Sequence, residues 1–184
     1  MNSLKGHLLI AAPSLLAPFF TRSVILMLEH NEEGALGVVL NRPTEATVTD
    51  ISEQVLQEHV EWGKPINIGG PVPGPLMVIH TDEDLADQEV VAGVYSSIDA
   101  AKIQQIVRRK ADPSLILANY AGWGPGQLEG EFGVDSWLTL PATVEHIFWD
   151  EATDLWEVVV KEVKARTLAD FLGIRDVPPD PSLN

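Results

Sequence analysis

The pattern of apolar and polar positions along the chain predicts many short strands. Short apolar runs bounded by turn residues are typical of strands, and they lie at 8–11, 23–29, 36–40, 66–68, 76–79, 90–95, 114–120, 137–140 and 144–149. Because the run from Val24 to Leu28 does not alternate, we expect that strand to be covered on both faces. The segment from Asn31 to Gly34 has the length of a hairpin connection, in which Gly34 can take a positive φ. These features predict a mixed, mostly antiparallel sheet.

Helical spacing of apolar residues predicts three main helices that flank this sheet. The first spans 50 to about 62, with Thr49 as its cap and Gly63 as its stop. The second follows Asp99, and the third carries its apolar residues between 156 and 163. A short fourth helix is expected to open at a proline, Pro125, because proline lacks the N–H that a helix start leaves unused. The fold class predicted from the pattern is therefore α+β.

Length and composition predict one globular domain. The chain has 184 residues, of which 45% are apolar and 21% are charged, an ordinary balance for a single core. We expect this domain to cover residues 1–175 and a flexible tail to follow at 176–184, where three prolines oppose both helix and sheet. The absence of cysteine excludes thiol chemistry, iron–sulfur clusters and thiolate zinc sites. It also favours a cytoplasmic location.

The net charge of −15 opposes a polyanionic partner. The densest basic run, Arg108 to Lys110, falls at the predicted end of the second helix, where the helix dipole favours cations. Direct nucleic-acid binding is therefore disfavoured. The longest apolar stretch, Leu8 to Phe20, contains two prolines and is too short to span a bilayer, so no membrane partner is expected.

Sequence patterns of catalysis and metal binding are not found. The five histidines include no pair at the i, i+4 spacing of a helical zinc site, and the chain has no G-x-S-x-G elbow, phosphate loop or dinucleotide motif. We therefore expect no metal and no cofactor, and the sequence does not favour an enzyme. His30 follows a buried strand, so it is either a ligand or base or a side chain that satisfies turn backbone groups.

Polar residues at the ends of predicted strands form a candidate recognition surface. The glycines around Trp123 either let backbone N–H groups approach another molecule or form a corner in which Trp123 fills the core. Arg42 suits a carboxylate or phosphate, unless it pairs internally with Glu29 or Glu129. The pair Gly69–Gly70 either belongs to this surface or permits a tight reversal. The predicted ligand or partner surface comprises Glu29, His30, Asn31, Asn41, Arg42, Gly69, Gly70, Trp123, Gln127 and Glu129.

Several motifs occur together across most of the chain. They are GHLLIAAPSL at 6–15, EHN at 29–31, GALGVVLNRP at 34–43, GGPV at 69–72, VIH at 78–80 and NYAGWGPGQLE at 119–129. In this order they resemble the AlgH/YqgE family. The chain departs from that family at Ala17, where Asp is usual, and at Asn119, where Gly is usual; the segment 70–80 is also unusually rich in proline.

The resemblance implies a single domain whose mixed, barrel-like sheet is bifurcated and flanked by helices. The family carries a transcriptional-regulator label, from an association with exopolysaccharide control, and no established reaction or cofactor. We therefore expect a cytoplasmic binding or regulatory module that acts indirectly on gene expression, with an unknown protein or small-molecule partner and a monomeric state. The alternatives are a hydrolase-like enzyme that uses His30 or Glu129 as general base and a direct DNA-binding regulator, which the charge disfavours.

Overall fold

The computed structural model describes residues 3–133, 136–150 and 152–173. The strands are β1 (His7–Ala11), β2 (Val24–Asn31), β3 (Gly34–Val39), β4 (Pro43–Thr47), β5 (Pro65–Ile68), β6 (Met77–His80), β7 (Gln88–Val91), β8 (Val94–Ser97), β9 (Ser114–Ala118), β10 (Ala121–Trp123) and β11 (Trp137–Pro141). The helices are α1 (Val48–Leu56), α2 (Ala100–Arg109), α3 (Gln127–Phe132), α4 (Val144–Ile147) and α5 (Leu155–Leu172), with a 3₁₀ turn at Glu83–Leu85.

The strands form two sheets, which confirms the mixed α+β class. Sheet 1 has the order β10-β3-β2-β1-β11 and is antiparallel throughout. Sheet 2 has the order β4-β5-β9-β6-β8-β7, with one parallel pair, β5 and β9. The predicted hairpin joins β2 to β3, where Asn31 pairs with Gly34 and Gly34 has a φ of 133°. Each sheet is open within the described residues, so closure into a barrel stays a prediction.

Two connections carry the chain from one sheet to the other. Strand β3 leads into β4, and β9 leads into β10 through Asn119 and Tyr120. At this junction, Gly69 accepts a hydrogen bond from Val39 N and donates one to Ala118 O, both at 2.8 Å. Asn119 has a φ of 66°, a conformation that glycine adopts freely and asparagine tolerates better than most residues. Asparagine can therefore stand where the family usually has glycine.

The core consists of three apolar clusters separated by the two sheets. One joins sheet 1 and sheet 2 with α4 and α5 and contains Leu26. A second lies on the other face of sheet 1, contains Ile25, and is covered by α3 together with Phe19 and Phe20 of the segment before β2. The third packs α1 and α2 on sheet 2. Ile25 and Leu26 are both fully buried, which confirms that β2 is covered on both faces.

Two predicted strands have a different structure. Residues 144–149 were expected to extend, but they begin with the short helix α4, because Thr143 caps it by accepting a hydrogen bond from His146 N at 3.3 Å. The run 90–95 is divided between β7 and β8, since the chain turns at Gly93, whose φ is 76°. A helix cap in the first case and a glycine turn in the second therefore override the apolar pattern.

The boundaries of α1 also differ from the prediction. Thr47, rather than Thr49, is the N-cap, and the carboxylate of Asp50 accepts from the backbone N–H and the hydroxyl of Thr47 at 2.7 and 2.8 Å. The helix ends where Gln57 takes a left-handed conformation, well before Gly63.

Helices α2 and α5 follow the sequence pattern more closely. Asp99 caps α2 by accepting from two backbone N–H groups, and the basic run lies at the C-terminal end of α2, with Arg108 and Arg109 paired to acidic side chains. Helix α5 continues without interruption to Leu172. The predicted domain end at 175 and the tail at 176–184 fall outside the described residues. In the described part of the chain, no helix has the length and hydropathy needed to cross a membrane.

Candidate functional site

The predicted site residues fall mainly into two groups, one near each end of β2. Asn41 lies beside the start of β2, where its Oδ1 accepts from Val24 N at 2.9 Å. His30 lies near the other end, 2.9 Å from Glu129. His30 lies six positions after Val24 along the strand, which is roughly 20 Å at ~3.3 Å per residue. The two groups therefore do not share one pocket.

The group at the end of β2 includes a corner, here called the tryptophan corner, formed by Trp123, Gln127, Glu131 and Trp137. The indole N–H groups of Trp123 and Trp137 both donate to Oε2 of Glu131, at 3.1 and 2.7 Å. Gln127 donates to the other carboxylate oxygen at 3.1 Å and accepts from Gly124 N. Both tryptophans are buried. The polar groups of this corner satisfy one another, as in the folding-corner alternative.

The short helix α3 begins from the same corner. Gly126, with a φ of 72°, is its N-cap, so Pro125 precedes the helix instead of opening it. Glu131 was not among the predicted site residues. Its role depends on two tryptophans that come from different strands.

His30 connects the N-terminal segment to α3. The backbone N–H of Leu4 donates to Nδ1 at 3.0 Å, so in the neutral ring Nε2 carries the proton and donates to Glu129 at 2.9 Å. A hydrogen bond to the backbone of Glu129 itself, and then the one from His30, lower the pKa of Glu129. A general base needs an available lone pair, and both ring nitrogens of His30 are already engaged. This arrangement agrees with the alternative in which His30 satisfies backbone groups instead of acting as a ligand or base.

The remaining candidates near this end of β2 lie at the surface. Glu29 is exposed on β2. Asn31 is also exposed, and its Oδ1 accepts from Glu33 N at 2.8 Å within the hairpin turn. Neither residue contributes to an enclosed site.

A buried hydrogen bond between His80 and Ser97 runs in the wrong direction to activate the serine as a nucleophile. His80 accepts from Asp82 N at Nδ1, so its Nε2 donates to Ser97 Oγ at 2.8 Å. Ser97 in turn donates to Leu85 O at 2.5 Å. The serine proton is thus directed away from the imidazole. The described residues also contain no group of three acidic or histidine side chains able to hold a metal ion.

Glycine is required at positions 69 and 70 because the chain passes very close there to the backbone of residues 119 and 120. A Cβ built on Gly70 would lie 1.9 Å from the carbonyl carbon of Tyr120, and one on Gly69 would lie 2.5 Å from the carbonyl oxygen of Asn119. Side chains cannot fit at these distances. The glycines permit the fold, as in the structural alternative.

The second group opens onto a surface cleft of about 310 Å³ at the start of β2. This arginine cleft is lined by Thr21, Arg22, Asn41, Arg42, Pro43, Trp149, Thr153, Asp154 and Leu155. It lies where the segment before β2, the connection from β3 to β4, and the beginning of α5 meet. Its volume is at the lower end of the range of ~300–1,000 Å³ found for small-molecule pockets.

Asn41 and Arg42 are held in the cleft by backbone contacts. Asn41 Nδ2 donates to Arg22 O at 2.8 Å. Arg42 donates to Thr21 O and, over 3.4 Å each, to Ser23 Oγ and Asn41 O. A guanidinium has five N–H donors, so at least two N–H groups of Arg42 have no acceptor in the described part of the chain.

Arg42 has no ion-pair partner among the described residues. Every salt bridge in that part of the chain involves other cations. The alternative in which Arg42 pairs internally with Glu29 or Glu129 is therefore not found in this part of the chain, where Glu129 binds His30 instead.

The second cation of the cleft, Arg22, is compensated. It donates to Asp154 at 2.5 Å and to Glu157 at 3.3 Å, and its Cζ lies 4.3 Å from the centre of the Trp156 ring. The hydrogen bonds to the two carboxylates raise the pKa of Arg22. Burial, and then the charge of Arg22, lower the pKa of Arg42. The cleft thus holds two cations, of which only Arg22 is paired with acidic groups.

Several cleft residues were missing from the predicted surface: Arg22, Trp149, Thr153 and Asp154. One signal was available, because Arg22 is a cation next to an apolar strand in an acidic chain, the same argument that selected Arg42. Trp149 and Thr153 carry no such signal. They reach the cleft only because α5 begins beside β2.

Comparison with known proteins identifies relatives over nearly the whole chain. The AlgH-like family model matches residues 8–167. A UPF0301 protein of Chlorobaculum tepidum is 35% identical over 185 residues, covering 97% of this chain and 95% of the relative. A UPF0301 protein of Streptomyces avermitilis is 35% identical over 195 residues, covering 100% of this chain and 97% of the relative.

Two solved structures have the same fold. The solution structure of the AlgH protein from Pseudomonas aeruginosa has a TM-score of 0.73 and 29% identity, with 97% of each chain covered. The crystal structure of a protein from Corynebacterium diphtheriae has a TM-score of 0.73 and 25% identity, with 88% of this chain and 87% of the other covered. With these relatives and the family match together, the chain belongs to the AlgH-like family, UPF0301.

Proposed function

We propose that this chain is a cytoplasmic binding module that regulates gene expression indirectly, through a ligand held in the arginine cleft. The observation that carries the proposal is the cleft itself, in which Arg42 keeps unused N–H donors beside a second arginine. Polar donors that converge in a concave site are typical of ligand recognition. In the other group of candidates, most side chains are engaged in contacts within the protein, and Glu29 is exposed on β2.

The charge supports an indirect effect on transcription. Nucleic-acid affinity depends on several cations that neutralise phosphates along a surface. The chain carries a net charge of −15, and Arg108 and Arg109 are paired with Glu58 and Asp82. The proposed module therefore reaches gene expression through another component that senses its ligand-bound state.

A cleft-filling variant tests this function. We expect Thr153→Trp to occupy the cleft, to remove small molecules that copurify with the parent protein, and to reproduce the transcript changes of a strain that lacks the protein. Mass spectrometry of the purified full chain and transcript profiling measure the two effects. Thr139→Trp, at an exposed position of β11, is the matched control and should behave like the parent.

Two results would count against the proposal. A Thr153→Trp protein that is folded and leaves the transcript profile unchanged would show that the cleft is not used in regulation. Salt-dependent binding of DNA by the purified parent protein at low ionic strength would replace the indirect effect by a direct one.

A further inference from the structure

The charges around the arginine cleft define the kind of ligand that fits it. Asp154 and Glu157 neutralise Arg22, whereas Arg42 has no acidic partner among the described residues. A ligand that replaces the missing partner needs one negative charge close to the guanidinium of Arg42. The N–H groups of Arg42 that remain unused, on Nε and Nη1, can donate to the oxygens of a carboxylate.

The rest of the protein limits the total charge of such a ligand. The chain carries a net charge of −15, and a negative net charge repels a multiply charged anion more strongly than a singly charged one. Asp154 lies on the cleft wall and adds to that repulsion. A monoanion gains the contact with Arg42 at the smallest electrostatic cost.

The apolar residues in the lining of the cleft indicate a second feature of the ligand. Trp149 lines the cleft and packs against the main core cluster, and Pro43 and Leu155 add apolar surface. An aromatic wall next to a cation suits a flat, partly apolar group.

From these observations, and on the basis of the proposed function, we infer that the arginine cleft binds a small monocarboxylic acid with a planar apolar portion. Its carboxylate lies on Arg42 and its planar portion lies against Trp149. Arg22 stays paired with its two carboxylates and lies over the Trp156 ring, so Arg42 is left to bind the ligand.

The test uses benzoate as the probe and benzamide as its uncharged counterpart. We expect benzoate to cause saturable NMR shifts at the backbone amides of Thr21, Asn41 and Thr153 and at the Nε–H of Arg42, and benzamide to bind at least tenfold more weakly. Phenyl phosphate, which carries more charge, should bind no better than benzoate. The parent protein is used at full length and neutral pH.

Variants separate the role of Arg42 from a general effect of charge. Arg42→Gln should weaken benzoate binding at least tenfold, and Arg42→Lys, which keeps the charge but loses the guanidinium N–H groups, should weaken it by a smaller factor. Arg109→Gln makes the same change in net charge on α2, away from the cleft, and should leave the affinity within twofold. If Arg42→Gln does not fold, Arg42→Lys still tests the requirement for the guanidinium.

The inference would be overturned by equal binding of benzoate and benzamide, by a clear preference for phenyl phosphate, by an equal effect of the Arg42 and Arg109 variants, or by no saturable shift at millimolar concentrations. Its failure is distinguishable from failure of the proposed function. If benzoate does not bind while Thr153→Trp still removes a copurifying molecule, the ligand class is wrong and the regulatory cleft stands. If Thr153→Trp has no effect while benzoate binds through Arg42, the cleft is a carboxylate site without the regulatory role.

Discussion

At the scale of single residues, glycine and asparagine determine where the chain crosses between the sheets. Gly70 lies so close to Tyr120 that any side chain would meet the Tyr120 backbone. Asn119 supplies the left-handed turn immediately before that tyrosine. Backbone atoms cannot move aside as a flexible side chain can, so this contact tolerates little change.

The short distance between Gly70 and the Tyr120 backbone predicts that even an added methyl group lowers the free energy of unfolding. We expect Gly70→Ala to lower the free energy of unfolding by about 1–3 kcal/mol or more, because a methyl group must displace the Tyr120 backbone. Urea unfolding measures the change. Gly63→Ala is the control, since a Cβ there would meet no atom within 4 Å, and its effect should stay within ~0.5 kcal/mol. Equal effects of the two variants would contradict the steric explanation.

The sequence predicted only part of the candidate site at this scale. Arg42 was found because a lone cation after an apolar strand is unusual in an acidic chain. The acidic partners of Arg22, the second cation of the cleft, were not predicted, because Asp154 and Glu157 are more than a hundred residues away from Arg22 in sequence. No local pattern encodes such a contact.

At the scale of elements, a buried histidine connects β6 to β8 and to the 3₁₀ turn. His80 is fully buried, and its ring binds both Asp82 N and Ser97 Oγ. The pKa of His80 is lowered chiefly by burial; Asp82 and Asp87 oppose that effect in part, and Lys102 adds to it. The folded protein therefore favours the neutral ring.

The lowered pKa of His80 predicts that the free energy of unfolding falls at mildly acidic pH. An unfolded histidine titrates near ~6.5, so below that pH the unfolded chain takes up a proton that folded His80 resists. The unfolding free energy should decrease as pH falls below about 6.5 and level off below the folded pKa. His80→Gln should make this decrease shallower in urea unfolding at several pH values. Exchange of the exposed His59 for Gln controls for the loss of an imidazole, and an unchanged slope in His80→Gln would refute the assignment.

The element predictions failed where a local cap or turn competed with an apolar run. Val144 to Trp149 has the composition of a strand, yet Thr143 and His146 start a helix there. In the same way, Gly93 splits the run 90–95 into two strands. In contrast, the long strand β2 was predicted within two residues at either end, because burial on both faces leaves a continuous apolar signal.

At the scale of the whole molecule, the two sheets are connected by covalent crossings and by a shared core. The crossings from β3 to β4 and from β9 to β10 place consecutive strands in different sheets. One apolar cluster includes residues of both sheets together with α5. Loss of either sheet exposes the core of the other.

This connection predicts a single cooperative unfolding transition. We expect near-ultraviolet circular dichroism, which reports tryptophan packing around Glu131 in the region of sheet 1, and far-ultraviolet circular dichroism to give coincident urea curves. Separate midpoints would mean that aromatic packing and secondary structure are lost in different steps, which would contradict a single cooperative transition. The sequence motifs indicated the family and the α+β class, but the pairing of distant strands such as β1 with β11 follows from packing that no local segment contains.

The pairing of β1 with β11 has a consequence for synthesis on the ribosome. Strands β1 to β3 are complete at residue 39, whereas the partners that flank them in sheet 1 are made only at residues 121–141. At ~5–20 residues per second, the nascent chain carries this apolar three-stranded unit without its neighbours for about 5–20 s. During that interval its two edges and both of its apolar faces lack most of the residues that later cover them. Chaperone contact during translation is therefore expected to fall on the first forty residues, before the rest of the protein exists to cover them.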